Sequence, residues 1–103
     1  MLTVLIADDE PHVVSLVRAT LDDTRVRVLA APDAATALIL AEATRPELLL
    51  LDVELPDRSG FEVCTELRND AAHAAMKIVM LTAAAQETDV RRGVAAGADV
   101  YLT

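Results

Sequence analysis

Carboxylates and a hydroxyl stand at the ends of short apolar segments, where side chains from different segments can meet. Asp8 and Asp9 directly follow the apolar run at the N-terminus, and Asp52 follows four consecutive leucines. Thr82 ends a third run of the same kind. If these runs are parallel strands, their carboxyl ends share one edge of a sheet, which is where such sheets bind ligands. The spacing therefore predicts a crevice lined by three carboxylates and one hydroxyl.

Three carboxylates in one crevice repel one another, and a hard divalent cation relieves that repulsion. Mg²⁺ prefers oxygen ligands and binds through one or two carboxylates, water and phosphate oxygens. One carboxylate then remains available as a nucleophile toward a phosphoryl group. The charge of that group would be neutralised by the metal, by the Thr82 hydroxyl, by the amides of Ala83 and Ala84, and usually by a lysine.

Each of these residues also has a purely structural explanation. An acid before Pro11 can cap a helix, Asp52 can be the exit of a strand into a loop, and Thr82 belongs to a residue type common in strands. The chemical interpretation depends on their conjunction, because all of these groups fall at strand ends in a consistent register.

Alternating hydrophobic periods predict the elements that must position these side chains. Strands are predicted at 2–7, 25–31, 47–52, 77–82 and 98–103. Helices are predicted from Pro11 to Leu21, after the capping residue Asp33, at 59–69, and at 87–96 with Gly97 as the stop. This βαβαβαβαβ order predicts an α/β fold, in which one doubly wound domain has a five-stranded parallel sheet with helices on both faces.

The same periods place individual side chains. Val90 and Val94 are predicted to face the core from the last helix, and Cys64 is predicted to be a buried, inert thiol. His12 and His73 are predicted to lie on the solvated surface.

Composition limits the classes of function. The 103 residues are 53% hydrophobic but only 2% aromatic, which leaves little material for stacking a flavin or a nucleobase. A net charge of -8 argues against direct nucleic-acid binding and fits a cation site or a basic partner better. The sequence contains no targeting segment and no run of membrane-spanning length, so a cytoplasmic location is the expectation.

These features resemble the receiver domain of two-component response regulators. The matching segments are "LIADDEP", "LLLLDVELPDRSGFEV", "IVMLTA" and "GADVYLT", and Pro56 and Gly60 stand at the family's usual spacing after Asp52. The resemblance covers essentially the whole chain and implies the flavodoxin-like strand order 2-1-3-4-5. It also implies a phosphoprotein of signal transduction that takes a phosphoryl group from a sensor histidine kinase and switches a partner-binding surface.

The resemblance implies a role for each matching residue. Asp52 would be the phosphoryl acceptor, Thr82 and Ala83 would contact the phosphoryl oxygens, and Tyr101 would report the switch by turning inward or outward. The Mg²⁺ ligands would be Asp8 (through water), Asp9, Asp52 and the backbone carbonyl of Glu54.

The sequence departs from the family pattern at its end. The family's lysine normally follows "YLT", and this sequence ends at Thr103. The single lysine, Lys77, begins a strand about 16 Å from Thr82, at roughly 3.3 Å per residue. The family's fifth helix is also missing, so we expect residues 1–103 to be a C-terminally truncated receiver domain. Leaving about five large apolar side chains bare would cost on the order of 10 kcal/mol, so a second copy or a partner is expected to cover that face.

A second departure is Glu54, which adds a carboxylate two residues after the acceptor and is expected to alter the lifetime of the phosphoryl group.

Among other functions, a non-phosphorylated interaction module is favoured by the missing lysine and disfavoured by the complete acidic set. An aspartate-nucleophile phosphatase would have a second aspartate where this sequence has Glu54. A nucleotide hydrolase would need a phosphate-binding loop, and a histidine phosphocarrier would need His12 or His73. We therefore expect no enzyme activity beyond self-catalysed phosphoryl transfer and dephosphorylation.

Overall fold

A computed structural model describes residues 1–103 as a five-stranded parallel sheet flanked by four α-helices. The strands are β1 (Leu2–Ala7), β2 (Val26–Ala31), β3 (Leu48–Leu51), β4 (Lys77–Leu81) and β5 (Val100–Leu102). The helices are α1 (Pro11–Leu21), α2 (Ala34–Thr44), α3 (Gly60–Arg68) and α4 (Glu87–Ala96), and a short 3₁₀ turn covers Ala71–His73. The observed order β2-β1-β3-β4-β5 confirms the predicted fold class and strand order.

Alternate residues of the central strands face opposite layers of the molecule. Leu5 and Leu49 are fully buried on the face covered by α2, α3 and α4, whereas Val4 and Ile6 are buried on the face covered by α1. Burial on both faces explains why β3 consists of leucine alone, since a parallel strand covered on both sides has no wet side.

Local sequence signals set the ends of the helices. Pro11 opens α1 at the first helical position, where a missing amide proton costs nothing. The side chain of Asp33 accepts a hydrogen bond from the Thr36 amide at 2.7 Å, which confirms it as the cap of α2. None of the four helices combines the length and the apolar composition that a membrane span requires.

Two of the predicted side-chain placements, those of Val94 and His73, are wrong. Val94 does not face the core but is 64% exposed, because the inward position on α4 belongs to Gly93, which packs against the Tyr101 ring. His73 is not solvated but only 3% exposed, because the unpredicted 3₁₀ turn directs it inward. Cys64 is buried as predicted, and burial raises the pKa of its thiol, consistent with an inert side chain.

One face of the sheet is less well covered than the other. On the face that carries α1, Val100 and Leu102 of β5 are about half exposed, and Leu16 of α1 is more exposed still. The expected bare apolar surface is therefore present. That a second copy or a partner covers this surface stays a prediction.

Arg68 ties together three segments at the end of the sheet where the strands begin. Its Nε donates to the Gly97 carbonyl at 2.7 Å and its Nη1 to the Met76 carbonyl at 2.5 Å. Its Nη2 pairs with the Asp99 carboxylate, which also accepts a hydrogen bond from the Ile78 amide at 2.8 Å. The Ile78 hydrogen bond, and then the charge of Arg68, lower the pKa of Asp99.

The Asp99 carboxylate is expected to make part of the stability depend on pH. Because its pKa is lowered on folding, its contribution is fully present above its unfolded pKa of about 3.9 and is lost as the pH falls through the lower folded value. We predict that Asp99→Asn is less stable than the parent at pH 7 and that the difference narrows below about pH 4. Urea unfolding at several pH values measures this, with Glu66→Gln as a control at an exposed carboxylate. A difference independent of pH would contradict the prediction.

Candidate functional site

The register of the strands places the predicted acidic residues side by side. Ala7, the last residue of β1, pairs with Leu51, the last residue of β3, so Asp8 and Asp52 leave the sheet at the same level. Carboxylate oxygens of Asp8, Asp9 and Asp52 all lie within 4.8 Å of one another. Asp8 is buried, Asp52 is half-buried and Asp9 is exposed. The three side chains predicted to form one crevice are thus together.

Within this cluster, the pKa of Asp8 is the one raised by burial and by the neighbouring charges. Burial raises the pKa of its carboxyl, and the charges of Asp52 and Asp9 raise it further. The Glu10 amide, which donates to Asp8 Oδ1 at 2.8 Å, opposes the shift. A positive ion between the carboxylates would favour the charged form of all three, because opposite charge at this range stabilises a carboxylate.

The chemistry of the donors fits Mg²⁺, which takes oxygen ligands and keeps several waters. The carboxylates of Asp8, Asp9 and Asp52 supply hard oxygen donors at one point of the surface. The backbone carbonyl of Glu54, the predicted further ligand, accepts no backbone hydrogen bond and so remains free to bind an ion. These residues are the ones that would hold the ion.

The backbone around Asp52 depends on close packing with Gly60. The Asp52 amide donates to the Ala7 carbonyl at 2.9 Å, and the Gly60 amide donates to the Val53 carbonyl at 2.7 Å. A side-chain carbon at position 60 would lie 2.1 Å from the Asp52 carbonyl oxygen. Only glycine therefore fits, which gives a physical reason for the spacing between Asp52 and Gly60.

The same loop is anchored by Asp57, which sequence reasoning missed. Its two carboxylate oxygens accept hydrogen bonds from the Ala34 and Ala35 amides, at 2.8 and 3.0 Å, at the start of α2. These bonds lower the pKa of Asp57. The only sequence signal was the free amides that every helix start presents, which do not reveal a partner 22 or more residues away.

Thr82 lies across the crevice from Asp52 at the end of β4. Its amide donates to the Leu102 carbonyl at 3.0 Å, and its hydroxyl oxygen accepts a hydrogen bond from the Ala84 amide at 3.2 Å. The Ala84 amide, which we expected to be a possible donor to a phosphoryl group, is thus engaged by Thr82. Ala83 lines a cavity of about 400 Å³ together with Asp8, Asp52, Thr82 and Thr103.

The lysine that the family places here is not supplied from elsewhere in the chain. Lys77 begins β4, while Thr82 directly follows its last residue, so the two lie at opposite ends of the strand. The 400 Å³ cavity has no cationic side chain in its lining.

Tyr101 is turned inward and half-buried. Its hydroxyl donates to the Ala84 carbonyl at 2.6 Å, and burial, followed by the charges of Asp89 and Asp52, raises its pKa. Its ring lies against Gly93, where an added side-chain carbon would be 2.5 Å from Tyr101 Cδ2. The inward position thus depends on a glycine that sequence reasoning did not single out.

Comparison with known proteins places these features in a family. The model of the response regulator receiver domain matches residues 4–103. The chain is 40% identical over 100 residues to the alkaline phosphatase synthesis transcriptional regulatory protein PhoP of Bacillus subtilis, covering 97% of this chain and 41% of PhoP. It spans about 40% of the length of the first curated relatives that it matches.

Solved structures agree with the sequence relatives. The chemotaxis protein CheY4 of Vibrio cholerae is 31% identical, with a TM-score of 0.91, over 100% of this chain and 86% of CheY4. The Mn²⁺-bound form of response regulator Rcp1 is 26% identical, with a TM-score of 0.92, over 100% of this chain and 81% of Rcp1. Both similarities extend over the whole sheet and all four helices.

The contact between Gly93 and Tyr101 leads to a prediction. Gly93→Ala would place a methyl group where the ring now lies, so Tyr101 should turn outward and lose its hydrogen bond to Ala84. Tyr101 is the only tyrosine and the chain has no tryptophan, so intrinsic fluorescence reports on this ring alone. We expect stronger quenching by iodide in Gly93→Ala than in the parent. Val94→Ala, on the exposed side of α4, is the control, and equal quenching in all three proteins would refute the steric argument.

Proposed function

The chain belongs to the response regulator receiver domain family, and from this premise we propose that it is a phosphorylation-controlled signalling switch with Asp52 as the acceptor. The observation that carries the proposal is the meeting of three carboxylates at the sheet edge, within 4.8 Å of one another. Receiver domains of this family are not classical enzymes. The only chemistry proposed is transfer of a phosphoryl group to and from the chain's own aspartate.

The proposed transfer uses Asp52 as a nucleophile. One of its carboxylate oxygens attacks the phosphorus of a phosphohistidine on a sensor histidine kinase, and the P–N bond breaks as the imidazole nitrogen takes its electron pair. Mg²⁺, held by Asp8, Asp9, Asp52 and the Glu54 carbonyl, would neutralise charge on the phosphoryl oxygens. The backbone hydrogen bond from Asp52 to Ala7 and the packing of Gly60 keep the nucleophile in one position, so little ordering is needed on transfer.

The proposed switch runs from Asp52 through Thr82 to Tyr101. A phosphoryl group adds about -1.5 to -2 charge and new acceptor oxygens, toward which the Thr82 hydroxyl can donate. If the Thr82 side chain moves toward the phosphoryl group, it would break the hydrogen bond that its hydroxyl now accepts from the Ala84 amide. Because the Ala84 carbonyl is the acceptor for the Tyr101 hydroxyl, the loop at Ala84 couples the acceptor site to the surface formed by α4 and β5.

A second function is favoured by one observation, which is that Tyr101 is already turned inward and bonded to the Ala84 carbonyl in the unmodified chain. A receiver-like module could then bind its partners through the same α4 and β5 surface without being phosphorylated.

We also propose a cytoplasmic location for the protein. We propose further that a second copy or a partner protein covers the bare apolar face.

Binding of a phosphoryl mimic separates the two functions. We predict that beryllofluoride binds in the presence of Mg²⁺ and changes Tyr101 fluorescence, because it occupies the position of an aspartyl phosphate. Asp52→Asn should abolish the response, and Asp22→Asn, an exposed acid in the α1–β2 loop, should leave it intact. A parent protein that fails to respond with and without Mg²⁺ would favour the constitutive module.

Glu54 is predicted to shorten the lifetime of the phosphoryl group. Its side chain is exposed two residues after the acceptor, and a carboxylate that reaches the acceptor could accept a proton from an attacking water. We expect Glu54→Ala to slow dephosphorylation by about 2- to 10-fold, well below the roughly 100-fold effect of a positioned general base. Decay of protein phosphorylated by a small-molecule donor measures the rate, with Glu54→Gln as the uncharged control of similar size. Unchanged or faster decay in Glu54→Ala would remove Glu54 from the reaction.

A further inference from the structure

A second cluster of metal-ligating side chains lies at the opposite edge of the sheet from Asp52. Glu42 stands in the last turn of α2, Asp70 caps the 3₁₀ turn that precedes β4, and His73 is the last residue of that turn. Ligand atoms of the three side chains lie within 4.8 Å of one another. We propose that Glu42, Asp70 and His73 form a binding site for a divalent transition-metal ion of the Zn²⁺ class.

The buried histidine is the first argument for a ligand. His73 is only 3% exposed, yet its Nε2 contacts the two carboxylates at 3.4 Å (Glu42) and 3.9 Å (Asp70), both longer than an ordinary N–H···O hydrogen bond. The side chain is thus buried as a whole while its Nε2 is only loosely paired. The ring nitrogen is therefore aimed at two carboxylates that it does not bind well by itself, and an ion between them would satisfy all three.

The spacing of the atoms is the second argument. Zn–N and Zn–O bonds of about 2.0–2.2 Å place tetrahedral ligands roughly 3.3–3.5 Å apart. The observed separation of 3.4 Å between His73 Nε2 and Glu42 Oε2 already has this value. The 3.9 Å separation from Asp70 Oδ2 needs only a small movement of an exposed side chain.

Each carboxylate also has one oxygen directed at the ring and the other directed elsewhere. Asp70 Oδ1 accepts the hydrogen bond from the Ala72 amide at 2.9 Å, which leaves Oδ2 toward His73. Glu42 Oε1 faces Arg45 Nη2 at 3.8 Å, which leaves Oε2 toward His73. The arrangement is thus a set of three single donor atoms with one common focus.

The donor set selects the kind of metal. Two carboxylates and a neutral imidazole carry two negative charges, which match a divalent cation, and imidazole suits Zn²⁺, Cu²⁺ and Ni²⁺ rather than Mg²⁺. The carbonyl end of α2 adds a partial negative charge next to Glu42. Three protein ligands leave a fourth position for water. A bound ion would join α2 to the segment before β4, so its expected effect is to stabilise that contact.

Zinc titration with NMR of the imidazole resonances tests the site. His12 and His73 are the only histidines, and His12 is exposed on α1, so it serves as an internal reference. The titration uses Asp52→Asn protein in excess Mg²⁺, which keeps Zn²⁺ from the acidic cluster at the other edge. We expect one equivalent of Zn²⁺ to shift the His73 resonances and not those of His12. Equal effects on both histidines, or none on His73, would overturn the proposal.

Conservative variants assign the carboxylates. Each substitution removes one carboxylate ligand, so we expect Glu42→Gln and Asp70→Asn each to weaken Zn²⁺ affinity at least 10-fold by calorimetry. The fold should be kept, because glutamine is compatible with the helix and asparagine with the cap of the 3₁₀ turn. They should also abolish the rise in melting temperature that Zn²⁺ produces. Glu87→Gln, at the start of α4, is the control. An affinity unchanged by both substitutions but lost in Asp8→Asn would show that Zn²⁺ binds at the other edge and would refute this site.

Discussion

The hydrogen bond from the Asp52 amide to the Ala7 carbonyl, 2.9 Å long, is the contact on which the site depends. It ends the pairing of β1 with β3 at a level that brings Asp8 and Asp52 together, although like charges repel. The leucines of β3 fill both layers of the core, and the observed pairing aligns the ends of the two strands at Ala7 and Leu51. Core packing therefore imposes the carboxylate cluster, and its cost appears at Asp8, whose pKa is raised mainly by burial.

Glycine controls the two places where the site touches the rest of the fold. At Gly60 the approach of the α3 start to the Asp52 carbonyl excludes any side chain, so the loop after the acceptor has one path. At Gly93 the absence of a side chain gives the Tyr101 ring its inward position. The first glycine fixes the backbone path at the predicted acceptor, and the second leaves the space that the inward ring occupies.

The two edges of the sheet differ in chemistry. The edge where strands end collects hard oxygen donors, and the edge where they begin collects Arg68 with Asp99, and His73 with two carboxylates. The helices run antiparallel to the strands, so the last turn of α2 comes to the second edge and brings Glu42 to His73. One fold thus carries an acidic site and a nitrogen-containing site without contact between them.

From the sequence alone, the order of elements, the parallel sheet and the meeting of Asp8, Asp9 and Asp52 could be predicted, since hydrophobic period and strand ends are local properties of the chain. The strand order followed from the resemblance to a known family. The tertiary structure decided the burial of His73, the exposure of Val94, the anchoring of α2 by Asp57, and the bond between Ala84 and Thr82. The first three depend on how neighbouring elements pack in three dimensions, and the last depends on the path of one loop, so the hydrophobic period does not encode them.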